Sequence, residues 1–240
     1  MKTRIAFAVL FVVCLSSDGL AQVKPAAPHP AGSARRWIPH TVKTIHGWKV
    51  YIDPSMRNHG SLLKSSDSIL NFELGVIEQR IPAAAIGQLK EVPLWLSLNS
   101  HSGRILHLYH SMANWARKRP DLDPAMEGAI EIQAPDYANM PHDSLPLLKW
   151  LAYSYHQQAL GLHNQTINDA FEHAKSSHVY DVQINNQQHF PFRISHDYFA
   201  VLSEAYFGGP LSYAPFDKAR LKQMDPQGYD MIETLWKLKG

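Results

Sequence analysis

The spacing of apolar residues changes once along the chain, near Gln133. Before that point apolar and polar residues alternate in short stretches, as in residues 48–52, and alternation is typical of half-buried strands. After it, apolar residues recur every three or four positions, which is the spacing of an amphipathic helix. A sheet-rich first part followed by a helical second part predicts the α+β class, with a mixed N-terminal sheet and a C-terminal helical half.

Individual elements can be placed within this frame. A hairpin is expected to begin near Thr41, and a helix over residues 70–81 is expected to follow it, with Ser66 or Asp67 as its N-cap and Pro82 at its end. Strands are expected to stop near Gln133. Further extended segments are predicted at 94–98, 104–109 and 130–133, and helices at 148–159, 167–174, 199–206 and 229–236.

The first residues have the features of an export signal. Lys2 and Arg4 precede an apolar run over residues 5–15, and the small residues Gly19 and Ala21 follow at the positions read by a signal peptidase. The run is too short to cross a bilayer as a helix. We therefore expect a secreted or periplasmic protein with three parts: a signal peptide at 1–21, an Ala/Pro-rich flexible tether at 22–37 and a folded domain at 38–240.

The composition excludes several classes of protein. The single cysteine, Cys14, lies in the predicted signal peptide, so the mature domain is expected to depend on an ordinary hydrophobic core and not on disulfides. The formal net charge is only +2, with both signs interspersed, which argues against a nucleic-acid partner or a polybasic membrane surface. No later segment is apolar and long enough to span a membrane. The 14 histidines raise the question of metal binding.

Two helical segments, LKWLAYSYHQQALG (148–161) and HDYFAVLSEAYFG (196–208), carry a resemblance. They resemble secreted bacterial proteins related to the catalytic domain of anthrax lethal factor, which are gluzincin metallopeptidases. The resemblance implies a zincin-like fold. In that family one helix carries HExxH, in which two histidines one turn apart bind zinc beside a glutamate base, and a later helix supplies a carboxylate ligand.

In this chain the positions that match the family's zinc site hold other residues. Lys149 stands at the first ligand position, Trp150 at the base position and Tyr153 at the second ligand position, while Asp197 keeps a shorter carboxylate at the third. Glu204 belongs to the segment that follows and matches the family well. A lysine ammonium has no free lone pair and an indole has no basic atom, so no metal, cofactor or catalytic residue is expected.

The resemblance therefore implies a degenerate HExxH motif and a pseudoenzyme that binds an extended polypeptide or cell-envelope partner in its cleft. Two alternatives stay open: a residual hydrolase with an unrecognised site, and a purely structural exported domain. The oligomeric state is not predicted. Trp150 could line the cleft or pack in the core.

Other candidate sites are weaker. His107 and His110 have a ligand-like spacing only on a helix, whereas the segment reads as extended, and neither Ser154 nor Ser203 has the glycine-flanked turn of a nucleophile. The remaining histidines follow no ligand spacing.

Two structural expectations follow from the matched positions. The helix carrying Lys149 and Tyr153 should pack beside the helix carrying Asp197. The Lys149 ammonium should also take the place of the metal ion and pair with Asp197 or Glu204.

Overall fold

A computed structural model of the protein describes residues 40–110, 114–141, 143, 145–184 and 187–237. The predicted signal peptide and tether, and Cys14, lie outside the described residues. The described part of the chain begins with the predicted hairpin, which turns at His46 and Gly47 and becomes part of a five-stranded mixed sheet. The strands of this sheet are β1 (Thr41–Ile45), β2 (Trp48–Ile52), β3 (Leu94–Ser97), β4 (Leu106–Leu108) and β5 (Ile130–Gln133).

The order of strands across the sheet is β1-β2-β3-β5-β4. The three central strands are parallel, whereas β1 and β4 at the two edges run antiparallel to their neighbours. As expected for a sheet covered on both faces, alternate residues enter two different clusters. Val50, Leu96 and Ile132 face the main core, whereas Trp95 faces a smaller cluster with Tyr109 and Trp115.

Helices supply most of the rest of the described chain. They are α1 (Gly60–Arg80), α2 (Ala83–Leu89), α3 (Trp115–Lys118), α4 (Ala134–Tyr137), α5 (Pro146–Tyr155), α6 (Gln165–Ser176), α7 (Ser195–Phe207), α8 (Lys218–Met224) and α9 (Pro226–Leu235). Short 3-10 turns lie at Pro54–Met56 and Pro124–Met126, and α5 continues into a π-helical turn at His156–Leu160. Asp225 caps α9 through a hydrogen bond from the Gly228 N–H, as its position before Pro226 predicts.

The α+β prediction is confirmed, and the main sheet precedes the long C-terminal helices. Two details were wrong. Helix α1 begins at Gly60, so Ser66 and Asp67 lie inside the helix instead of capping it. Strands also continue beyond Gln133, because β6 (Val182–Ile184) and β7 (Gln187–His189) form a second hairpin. Both strands are only three residues long, so the alternation of Val182 and Ile184 about Gln183 in β6 is too short to indicate a strand, and β7 has no apolar residue.

Helices α5 and α7 pack against each other beside β4, which confirms the expected pairing of the two helices. Leu151 and Ala152 of α5 and Phe199 and Leu202 of α7 are all fully buried in the main core. Burial of such side chains stabilises by about 1.5–3 kcal/mol each, which holds the two helices in register. This packing fixes where the polar faces of α5 and α7 meet the edge of the sheet.

Candidate ligand-binding cleft

An open cleft of about 530 Å³ lies where strand β4 meets the first turns of α5. We call it the β4–α5 cleft. It is lined by Gly103, Arg104, Ile105, Leu106, Met140, Pro146, Lys149, Trp150, Glu204, Leu211, Ser212 and Tyr213. Its volume falls within the range of small-molecule and peptide pockets.

One wall of the cleft is formed by residues 103–106, which lead into β4 and include its first residue. Strand β4 pairs on one side only, with β5. The Tyr109 N–H donates to the Ala129 carbonyl at 2.9 Å and the Gln133 N–H to the Ile105 carbonyl at 2.8 Å. In an antiparallel ladder the intervening residues point their backbone groups the other way. The N–H and C=O of Leu106 therefore face away from β5, and no other strand pairs with β4 in the part of the chain described.

The five positions that match the family's site are brought together. Lys149, Trp150 and Glu204 line the cleft, so the alternative in which Trp150 is wholly a core residue is wrong: it is partly buried and packs on the core from the cleft wall. Tyr153 and Asp197 lie beside them, and the Tyr153 hydroxyl donates to the Asp197 Oδ1. Burial and this hydrogen bond raise the pKa of Tyr153. The phenol therefore stays protonated at neutral pH.

The ion pair expected for Lys149 is not formed. Among the described residues Lys149 has no salt bridge with Asp197 or Glu204, and its ammonium lies 6.0 Å from the centre of the Tyr213 ring. Both carboxylates instead accept hydrogen bonds from phenols, Asp197 from Tyr153 and Glu204 from Tyr213 at 2.8 Å. A neutral donor satisfies a carboxylate without the desolvation of a second charge, which favours a tyrosine over a lysine as the partner of a buried carboxylate.

Glu204 is the buried acidic group of the cleft, with only 4% of its surface exposed. Burial raises its pKa to about 7, and the Lys149 charge and the Tyr213 hydrogen bond oppose that rise without cancelling it. The negative charge of Glu73, on α1, raises the pKa of Glu204 further. Glu204 is thus partly protonated near neutral pH.

A row of rings continues from the cleft along α5 and α7. Trp150 stacks on Tyr153 with ring centres 5.8 Å apart, and Tyr153 stacks on His196 at the same distance. His196 in turn stacks on His156 at 4.0 Å. Burial lowers the pKa of His156 to about 4 and also lowers that of His196, so both imidazoles are neutral at pH 7.

This set of donors does not fit a zinc ion. Lys149 and Trp150 offer no lone pair, and the Tyr153 hydroxyl is already bonded to Asp197. His107 and His110 contact different rings, Trp150 and Tyr153 respectively. Within the described ranges no three His, Cys, Asp or Glu side chains are arranged to hold a metal ion.

A second polar cluster, on the opposite face of the sheet, was missed by sequence reasoning. Glu131 of β5 is fully buried and accepts hydrogen bonds from the His101 Nδ1 at 2.6 Å and the Tyr109 hydroxyl at 2.9 Å. Burial acts to raise the pKa of Glu131, but the hydrogen bonds from His101 and Tyr109 outweigh it and lower that pKa. A charged residue between two isoleucines of a central strand was the signal that could have revealed a buried carboxylate.

Arg104, Ser212 and Tyr213 were also missed, because they reach the cleft from segments outside any helix or strand and so follow no periodic pattern. No helix in the described part of the chain is both long and apolar enough to span a membrane. Comparisons with protein-family models, with curated proteins and with solved structures found no match for the chain.

Proposed function

We propose that the protein is an exported, metallopeptidase-like pseudoenzyme that binds an extended polypeptide in the β4–α5 cleft without cleaving it. The observation that carries the proposal is the position of that cleft, between the unpaired side of β4 and a helix whose Lys149 and Trp150 replace a zinc ligand and a general base.

The arrangement of elements supports a zincin-like fold. A mixed sheet with an antiparallel edge strand lies beside the packed pair α5 and α7, and the residues that match the second and third ligands, Tyr153 and Asp197, touch each other. Two residues that match ligands of one metal ion are expected to lie in contact, as Tyr153 and Asp197 do. This contact supports the resemblance independently of the sequence motifs.

The shape of the cleft supports peptide binding. An extended segment laid beside β4 can add backbone hydrogen bonds to Leu106 while its side chains reach the α5 wall. A purely structural domain has no need of an open concavity of about 530 Å³ lined by Arg104, Lys149 and Trp150. The open cleft therefore favours the binding function over a structural role.

The test is selection from a displayed library of linear peptides on the purified protein. We expect selected peptides, once synthesised, to bind saturably and to be recovered intact by mass spectrometry. Ser212→Trp fills the cleft from an exposed position and should abolish binding, whereas the matched change Ser61→Trp on the exposed face of α1 should not. Equal binding to both variants, or no selected peptide, would overturn the proposal.

A second candidate, a residual hydrolase, is favoured by one observation. Glu204 has its pKa raised to about 7 by burial and lies in the open cleft, as a general acid or base does. Cleavage of selected peptides that is lost in Glu204→Gln would establish this candidate in place of the binding function.

A further inference from the structure

The β4–α5 cleft contains two cations without a carboxylate partner. Arg104 is exposed at the N-terminal end of β4 and Lys149 is half-buried on α5, and neither forms a salt bridge in the described part of the chain. Elsewhere in the described structure Lys43, Lys90 and Arg119 do pair with carboxylates, Lys90 with Glu78 at 2.5 Å. The cleft therefore has uncompensated positive charge on both of its walls.

The acidic group within the cleft does not neutralise these charges. Glu204 is buried, its Oε2 is occupied by the Tyr213 hydroxyl, and its partial protonation near pH 7 removes part of its negative charge. A ligand that enters between Arg104 and Lys149 meets a positive potential in a partly desolvated space, where charge-assisted hydrogen bonds are strongest.

The direction of β4 indicates where a ligand's charge would lie. Arg104 lies two residues before Leu106, in the segment that leads into β4, and lines the same cleft as Lys149 of α5. Side chains of an extended segment added beside β4 would alternate between its two faces, so every second one faces the α5 wall that carries Lys149. The cleft follows residues 103–106, which lead into β4 and include its first residue, so a segment that pairs with β4 and continues past Leu106 would carry an internal side chain between the two cations.

We infer that the β4–α5 cleft selects extended peptides carrying an internal Asp or Glu, whose carboxylate is bound between Lys149 and Arg104. This inference rests on the proposed peptide-binding function and names the class of its ligand.

The experiment compares four sublibraries of linear octapeptides on the purified protein. Three are acetylated and amidated, with Glu, Gln or Lys fixed at a central position, and the fourth has central Gln with a free terminal carboxylate. We expect the Glu sublibrary to bind about tenfold more tightly than the Gln one, and the Lys sublibrary to bind least.

Variants assign the preference to the two cations. Lys149→Met and Arg104→Gln should each reduce the Glu-over-Gln preference to about twofold or less, while Lys64→Met, at an exposed position of α1, should leave it unchanged. The binding of Gln peptides to Lys149→Met serves as the check that this variant is folded and its cleft intact.

The outcomes separate the inference from the function on which it rests. Equal binding of the amidated Glu and Gln sublibraries overturns the acidic preference and leaves peptide binding standing. A preference for the free terminal carboxylate over internal Glu also overturns the inference, since the ligand would then be a chain end. Absence of binding by every sublibrary overturns the peptide-binding function and the inference with it.

Discussion

Glu204 is the residue whose ionisation links the cleft to stability. Its pKa is about 7 in the folded protein against a usual value of 4.5, so the folded state holds its proton over a range where the unfolded state has released it. Stability from this residue is complete below pH 4.5 and is lost as the pH rises through 7. The loss is on the order of 3 kcal/mol.

The Glu204→Gln variant should therefore lack this pH dependence. In urea unfolding between pH 4 and 8, the free energy of unfolding of the wild type should fall relative to that of the variant by about 3 kcal/mol. Glu91→Gln, at an exposed position after α2, provides the control and should track the wild type. Parallel curves for Glu204→Gln and wild type would show that the pKa of Glu204 is the same in the folded and unfolded states.

The same residue should make ligand binding depend on pH. The ionisable groups that face Glu204 are Lys149 on α5, Tyr213 after α7 and Glu73 on α1. Protonation of Glu204 removes a negative charge beside the ligand carboxylate, so a Glu-bearing peptide should bind about three- to tenfold more tightly at pH 6 than at pH 8. Fluorescence anisotropy measures this ratio, and Glu204→Gln should bring it close to one.

His156 is the other residue with an unusual environment. It is fully buried, neither ring nitrogen has a hydrogen-bond partner in the described structure, and its pKa is lowered from 6.5 to about 4. We expect His156→Leu to stabilise the protein by about 1–3 kcal/mol at pH 7, because it removes two desolvated polar atoms.

Acid should enlarge the difference between His156→Leu and the wild type. A lowered pKa means that stability from the neutral imidazole is lost as the pH falls below 6.5 and through 4. Thermal unfolding at pH 7 and pH 4 tests both effects, with the exposed His173→Leu in α6 as control. A destabilised His156→Leu at pH 7 would indicate that the ring makes a favourable polar contact.

At the scale of elements, the start of α9 is fixed by a buried carboxylate. Asp225 accepts hydrogen bonds from the hydroxyls of Tyr180 at 3.1 Å and Tyr198 at 2.5 Å, and from the Gly228 N–H at 2.8 Å. A methyl group at Gly228 would overlap both the Asp225 carboxylate and the Tyr198 hydroxyl. The position needs glycine because of this close approach.

Gly228→Ala should therefore destabilise the protein by about 2 kcal/mol, although alanine favours helices. The matched change Gly87→Ala in α2 meets no atom within 4 Å and should stabilise by about 0.5–1 kcal/mol. Urea denaturation of both variants gives the comparison. A neutral Gly228→Ala would mean that Asp225 and Tyr198 can move apart without loss.

The pairing of α5 with α7 allows a test of the family resemblance. The changes Lys149→His, Trp150→Glu, Tyr153→His and Asp197→Glu restore the family's residues at positions that already lie side by side, and should create measurable zinc affinity. Isothermal calorimetry measures it. The variant that retains Lys149 serves as control, since two ligands beside an ammonium hold zinc poorly.

Catalysis need not accompany zinc binding in the restored variant, because Val201 stands where the family that the segment resembles has a second glutamate, which supports a zinc ligand. Such support is worth about ten- to a hundredfold in affinity or activity. A variant that carries all four substitutions, folds and still has no zinc affinity would argue against the family resemblance.

The sequence was sufficient to locate helices and strands with a strong apolar periodicity. It was not sufficient to locate the short strands or the first residue of α1. The stripes containing Leu151 and Phe199 gave α5 and α7 because buried apolar residues repeat along a helix face. The hairpin of β6 and β7 was missed because its strands are only three residues long and β7 has no apolar residue. The hydrogen-bond partners of the site residues were also predicted wrongly. The pairing of Lys149 with a carboxylate was inferred from charge alone. That inference did not consider tyrosines that approach the carboxylates from other segments.

For the whole molecule, the order of strands and helices along the chain was more informative about the fold class than any single motif. A sheet followed by helices was enough to predict the α+β class, whereas the grouping of Lys149, Tyr153, Asp197 and Glu204 was predicted only from the family resemblance. The loop that carries Tyr213 and the segment that carries Arg104 complete the cleft, and their positions depend on long-range packing. Such contacts leave no local signal in the amino-acid sequence.

Glu131 has a consequence for the β4–α5 cleft, although it lies on the opposite face of the sheet. It binds His101 before β4 and Tyr109 after it, so one carboxylate holds both ends of the strand that borders the cleft. An edge strand fastened in this way loses little conformational entropy when a ligand binds. If the cleft binds a peptide as proposed, the rigidity of the binding surface, and with it the lifetime of the complex, would thus be set by residues that lie outside the cleft.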